Sequence, residues 1–148
     1  MITKLKRQGY SLETQKNSTA LLSGLFANED CEICVYTTKK TKTVYSILVL
    51  FEEETSWYSL KSAYKKLKNQ LTQKYKIEPD VTEDFYDPYY EGDGYELQAL
   101  RNRKCFYWSH FNFDNGTIKL VILEDRIVLQ YLGKKGNQIN EKEESQSA

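Results

Sequence analysis

Between Ser56 and Tyr75 the apolar residues recur at helical spacing. At 100° per residue Trp57, Leu60, Tyr64, Leu67, Leu71 and Tyr75 fall in an arc of roughly 80°, a narrow version of the usual apolar stripe. Lys61, Lys65, Lys66 and Lys76 lie round the far side, with Lys68 flanking the stripe. Thr55 or Ser56 is placed to cap the first turn, and Glu52, Glu53 and Glu54 stand near the positive end of the helix dipole. No Gly or Pro interrupts the run. The pattern predicts one long amphipathic helix whose apolar side needs a surface to cover it.

Upstream, Met1 to Gln8 reads as a short helix with Ile2 and Leu5 inward, stopped by Gly9. Ser11 to Thr19 is polar and reads as a loop. Ala20–Phe26 has strand character, Asn28 to Asp30 turns the chain, and Cys31–Thr37 alternates with Cys31, Ile33 and Val35 on one face. After a basic turn, Thr43–Phe51 is nearly continuous in Val, Ile, Leu, Tyr and Phe, the pattern of a strand covered on both sides. These three strands predict an antiparallel meander ahead of the long helix.

Downstream lies the most unusual segment. Glu78 to Glu96 carries eight acids, no Lys or Arg, both prolines of the chain and five aromatics. Pro79, Pro88, Gly92 and Gly94 predict a long irregular connection through most of it. Connections this long are uncommon in compact domains unless functional or disordered, and the aromatics argue against plain disorder. Tyr95 to Asn102 has room for two helical turns. Lys104–Phe113 reads as a strand with Tyr107, Phe111 and Phe113 on one face and Phe106 and Trp108 on the other. Asn115-Gly116 is a strong hairpin signal leading to a strand over Thr117–Glu124, and a tight turn near Asp125 leads to Ile127–Leu132. The fold class expected is therefore α+β: two three-stranded antiparallel meanders packed on one long helix plus short helices, in the order α-βββ-α-loop-βββ. Residues 1–136 form a single domain in this reading, and 137–148 a polar flexible tail.

Length and charge narrow the picture further. A chain of 148 residues is large enough to bury a core without staples, and three cysteines suit no disulfide framework. Acidic and basic residues balance at 21 each, so no global charge argues for nucleic acid or membrane. No apolar run approaches the ~20 residues a bilayer requires, and the first ten residues lack a secretory apolar core. The expectation is a cytoplasmic protein.

The run P-Y-Y-E-G-D-G-Y-E-L-Q-A-L at Pro88–Leu100, followed by K-C-F-Y at Lys104–Tyr107, resembles the signature of a family of small uncharacterised bacterial α+β domains. The flanks Lys74-Tyr75 and Gly116-Thr117-Ile118 are similar too, as are Leu22-Ser23-Gly24-Leu25-Phe26 and Val44-Tyr45-Ser46. The resemblance covers about Met1 to Leu132 and implies a fold without an activity. Members commonly carry a strand and turn ahead of the first helix, which this sequence lacks, implying a sheet edge that is missing or differently covered.

The chemistry on offer is sparse. Cys31 and Cys34 form a C-x-x-C pair that Cys105 and His110 complete on paper as a zinc set. Residues three or five apart in a strand point to opposite faces, so buried hydrophobes are the better reading. His110 is the only histidine and has no partnering nucleophile motif; a structural role on its strand is expected. No phosphate-binding, dinucleotide-binding, metalloprotease or nucleophile-elbow motif is present. Asp84, Asp87, Glu91, Asp93 and Glu96 supply oxygens for a Ca²⁺ site, but without the EF-hand spacing. Pairing the acidic segment with the lysine-rich helix accounts for both charge runs, and the acids beside those lysines would repel a nucleic-acid backbone.

A protein-contact reading remains. Ten aromatics between Phe85 and Phe113 exceed what one face of a small sheet buries, and Tyr and Trp are enriched at interaction hot spots. The expected partner-binding residues are Tyr89, Tyr90, Glu91, Asp93, Tyr95 and Glu96, with Phe85 and Tyr95 more apt than Tyr89 and Tyr90 to pack down as a lid. The function expected is a non-enzymatic binding module for an unknown protein partner, with no cofactor, metal, nucleic acid or membrane involved. The alternative is a Ca²⁺-dependent protein or small enzyme using the carboxylates of residues 78–96.

Overall fold

The computed structural model describes residues 2–26 and 29–147. Its elements run α1 (Ile2–Arg7), β1 (Ser11–Lys16), β2 (Thr19–Phe26), β3 (Glu29–Thr37), β4 (Val44–Phe51), α2 (Trp57–Tyr75), β5 (Asp80–Phe85), α3 (Glu96–Arg101), β6 (Cys105–Phe113), β7 (Gly116–Leu123), β8 (Arg126–Gly133) and α4 (Lys134–Ser147). The architecture is α+β, an antiparallel eight-stranded sheet in the order β1-β2-β3-β4-β8-β7-β6-β5 with four helices. The chain condenses into two compact units, one of Met1–Phe51, Phe113–Ile118 and Gln130–Ala148, the other of Glu52–Asn112 and Lys119–Leu129.

In the first unit β2, β3 and β4 form the expected antiparallel meander, with Ala20 opposite Val35 and Val35 opposite Ile47. Ala20, Leu22, Cys31, Ile33, Val35, Val49 and Phe51 are buried. Three features differ from the sequence pattern. Ser11–Lys16 is a strand rather than a loop; β1 pairs antiparallel with β2 although only Leu12 along it is even half-buried. An edge strand takes its ladder from its neighbour's backbone, so a polar sequence suffices. The turn expected from residue 28 falls partly outside the described residues, and Glu29 already lies in β3.

The third difference is α4. Residues 137–148, expected to be a flexible polar tail, are helical as far as Ser147. Gly136 lies against β4 so closely that a Cβ there would collide with the Val44 carbonyl oxygen and stand 2.9 Å from the Tyr45 Cα. Glu143, 8 % exposed, accepts hydrogen bonds from the Lys40 backbone N–H and from the Thr41 hydroxyl at 3.1 Å. Burial pushes its carboxyl pKa up, but these donors, with the Thr38 hydroxyl, outweigh that and hold it below the ordinary value.

In the second unit α2 follows the periodicity of its sequence: Leu60, Tyr64, Leu67 and Leu71 are buried. The Ser56 hydroxyl caps the first turn by accepting from Ser59 N–H at 3.1 Å, and Lys76 ends the helix in the left-handed region, its N–H donating to the Thr72 carbonyl at 2.8 Å. The preceding glutamates do not enter the first turn. Glu53 instead pairs with Arg126 at 2.8 Å, and Glu54 N–H donates to Asp125. On β6 the buried positions are Cys105, Tyr107, Ser109 and Phe111, alternating with Phe106, Trp108, His110 and Asn112. The β6–β7 reversal is made by Asp114 and Asn115, with Gly116 already the first residue of β7.

The acidic segment also contains a strand that its sequence does not announce. β5 pairs antiparallel with β6, placing Asp80 opposite His110, Glu83 opposite Tyr107 and Phe85 opposite Cys105. The elements therefore do not reduce to two three-stranded meanders in the order α-βββ-α-loop-βββ: β1 and β5 are additional, and α4 is a second helix of substantial length. No helix among the described residues is long and apolar enough to cross a membrane.

Candidate functional site

The segment from Tyr86 to Glu96 leaves β5 and enters α3 as a loop anchored at several points. Tyr86 N–H donates to the Lys104 carbonyl at 2.7 Å, and Tyr89 N–H closes a turn on the Tyr86 carbonyl at 3.0 Å around a cis Asp87–Pro88 bond. Gly92 and Gly94 take positive φ of 97° and 83°, a conformation glycine adopts without steric cost. The Asp93 carboxylate then accepts from Tyr90 N–H at 3.1 Å and Tyr95 N–H at 2.7 Å, bracing the second turn from inside. Glu96 accepts from Gly92 N–H at 3.0 Å.

Glu91 ties the loop to α2. Its carboxylate accepts from Trp57 Nε1 at 3.0 Å and Lys61 Nζ at 2.5 Å. The Lys61 bond holds the Glu91 pKa below the usual carboxylate value; burial opposes it and the Trp57 bond assists. Below the loop, Glu83 accepts from the Tyr64 hydroxyl at 3.0 Å and Lys68 at 2.7 Å, and the Tyr64 oxygen also lies 2.5 Å from the Ser109 hydroxyl. The acidic segment thus does fold back on lysines of α2, through two pairs: Lys61–Glu91 and Lys68–Glu83. The first is partly exposed and contributes at most about 1 kcal/mol.

An edge-on ring cluster supports the anchors. Trp57 meets Phe85 at 5.3 Å and Tyr107 at 5.0 Å, and Tyr64 meets Tyr107 at 5.7 Å. Burial, aided by the nearby carboxylates, raises the Tyr107 hydroxyl pKa, and the same causes push the Cys105 thiol to about 12. Neither group ionises at neutral pH.

The sequence-nominated residues therefore separate into two sets. Glu91, Asp93 and Glu96 are engaged inside the molecule and shape the loop. Tyr90 and Tyr95 point their area outward, at 65 % and 60 % exposure, and Tyr86, which was not nominated, joins them at 48 %. Tyr89 is half-buried, its hydroxyl accepting from the Asn102 amide at 2.8 Å. Phe85 packs down as expected, whereas Tyr95, expected to pack with it, does not. Tyr95 occupies the N-cap position of α3, where its carbonyl receives Ala99 N–H and its side chain makes no capping bond.

Of the other candidates, Cys31 and Cys34 lie on opposite faces of β3, Cys31 buried and Cys34 half-buried. His110 stacks on Trp108 with ring centroids 4.1 Å apart. Burial, then Lys119, lowers its pKa, against a raising influence from Asp80. Among the described residues no three His, Cys, Asp or Glu side chains converge on a point where a metal would sit. No family model, curated relative or solved structure matches the chain.

Proposed function

We propose that the chain is a protein-binding module whose contact surface is the ring loop formed by Tyr86, Tyr90 and Tyr95. The observation that carries this reading is the use of the loop's carboxylates. Glu91, Asp93 and Glu96 are satisfied by donors of the same unit, so the loop is held in one shape while three tyrosines remain in water. Holding exposed rings in place lowers the ordering entropy that binding costs, and tyrosine provides large contact area with few rotatable bonds. Asp84 and Asp87, both exposed, add negative charge beside the rings and favour a partner with basic residues at its rim. The role is binding rather than catalysis.

The test compares affinity capture by the intact chain with capture by Tyr90→Ser/Tyr95→Ser. The expected result is a partner retained by the wild type at low salt and lost by the variant, with unfolding curves that coincide within about 0.5 kcal/mol, as for an exposed substitution. Identical capture by both proteins would overturn the reading. So would a stability loss of several kcal/mol, since the rings would then belong to the core.

A further inference from the structure

A second surface of the same unit adjoins the loop at Tyr86, whose ring meets Phe106 edge-on at 5.8 Å, and differs from the loop in its chemistry. On the face of β6 opposite to Tyr107 and Ser109 lie Phe106, 41 % exposed, and Trp108; on β7 Leu123 is 53 % exposed. With Leu100 these residues line an open cleft of about 380 Å³. That is within the range of small-molecule sites, roughly 300 to 1,000 Å³.

Arg101 and Arg103 line the same cleft. Their backbone is fixed by the end of α3, where Asn102 N–H donates to Gln98 at 2.9 Å, Arg103 N–H to Leu100 at 3.3 Å and Lys104 N–H to Ala99 at 2.8 Å. Arg103 itself sits at φ 56°, so the chain reverses there and brings both arginines to one cleft. Neither guanidinium has an ion-pair or hydrogen-bond partner among the described residues. The cleft's single carboxylate, Glu124, is likewise unpaired. Two unpaired guanidinium groups beside the exposed ring of Phe106 and the half-buried ring of Trp108 present forked donors to a carboxylate and flat faces to an aromatic body.

We infer that this cleft binds a small aromatic carboxylate, its ring against Phe106 and Trp108 and its anion on Arg101 and Arg103. The probe is 2-naphthoate, titrated calorimetrically into the intact chain, with 2-naphthylmethanol as its neutral counterpart. Saturable binding at one site is expected, at least about tenfold weaker for the alcohol and for Arg101→Gln/Arg103→Gln. Glu124→Gln is expected to tighten binding, because it removes the one opposing charge. Tyr90→Ser/Tyr95→Ser is expected to leave it unchanged, which keeps this result separate from the protein-contact reading. Absence of saturable binding at millimolar naphthoate would overturn the inference. Equal affinity for acid and alcohol would do the same on the wild-type chain alone, independently of whether the arginine variant folds.

Discussion

Replacing Tyr64 with phenylalanine removes one oxygen from the point where α2, β5 and β6 are joined. The ring is fully buried, and its hydroxyl meets Ser109 at 2.5 Å and Glu83 at 3.0 Å. The packing against Tyr107 survives the substitution, so the loss is polar. A hydrogen bond between neutral groups contributes about 1 kcal/mol net, and one to a charged acceptor about 1.5 to 3 kcal/mol. Ser109 is also fully buried and is left without this partner. Removing the tyrosine hydroxyl returns part of its own desolvation cost, so the net expectation is a loss of about 2 to 3 kcal/mol. The measurement is urea unfolding followed by tryptophan fluorescence, because Trp57 and Trp108 both lie in this unit. Lys68→Met removes another donor to Glu83 and provides the second corner of a double-mutant cycle. Coupling of at least about 0.5 kcal/mol is expected between the two changes, since they share one acceptor. A Tyr64→Phe loss below about 0.5 kcal/mol, or strict additivity with Lys68→Met, would refute the view that this carboxylate joins helix to strand.

Gly136→Ala gains about 1 kcal/mol of intrinsic helix propensity, yet its methyl would meet the backbone of Val44 and Tyr45. Loss of amide protection over residues 134–147 is the expected outcome, and increased protection would show that the close approach is relaxed at no cost. Glu143 has a lowered pKa, so its contribution is complete above the unfolded carboxyl value and disappears as pH falls through the lower folded one. The Lys40 amide proton, which donates to it, is expected to titrate with an inflection below pH 4.5, and to lose that inflection in Glu143→Gln. Burial, then Asp30 and Glu32, raises the Cys31 thiol to about 11, and Cys105 stands at about 12. Iodoacetamide at pH 8 should therefore alkylate both far more slowly in the native protein than in urea, while the half-buried Cys34 reacts first; equal native rates at all three would contradict the burial.

Where one element's own periodicity settles which side it buries, the chain reads directly. The stripe through Leu60, Tyr64, Leu67 and Leu71 is of this kind, because 3.6-residue spacing follows from backbone geometry alone; two-residue spacing likewise separates the faces of β6, but with aromatics on both, the buried one is decided by packing. The meander of β2, β3 and β4 is legible for the same reason. β1 and β5 are not, since an edge strand with few apolar residues is defined by the backbone of its neighbour, as Asp80 is by His110, thirty positions further along the chain. Nor is α4, a polar sequence whose place depends on Gly136 approaching β4 and on Glu143 reaching Lys40 and Thr41.

The loop shows the same division within a few residues. Its excess of acids and rings is plain from composition, and so is the pairing of those acids with the lysines of α2, which is a matter of charge. Which carboxylate braces a turn, which reaches Trp57 and Lys61, and which tyrosines stay in water depend on distances between groups remote along the chain. The arginine-lined cleft is further still from the sequence pattern, for it exists only because the chain reverses at Arg103 and sets the end of α3 beside two strands. Local geometry carries information over a turn or a pleat; a site assembled from three elements is decided by the packing that brings them together.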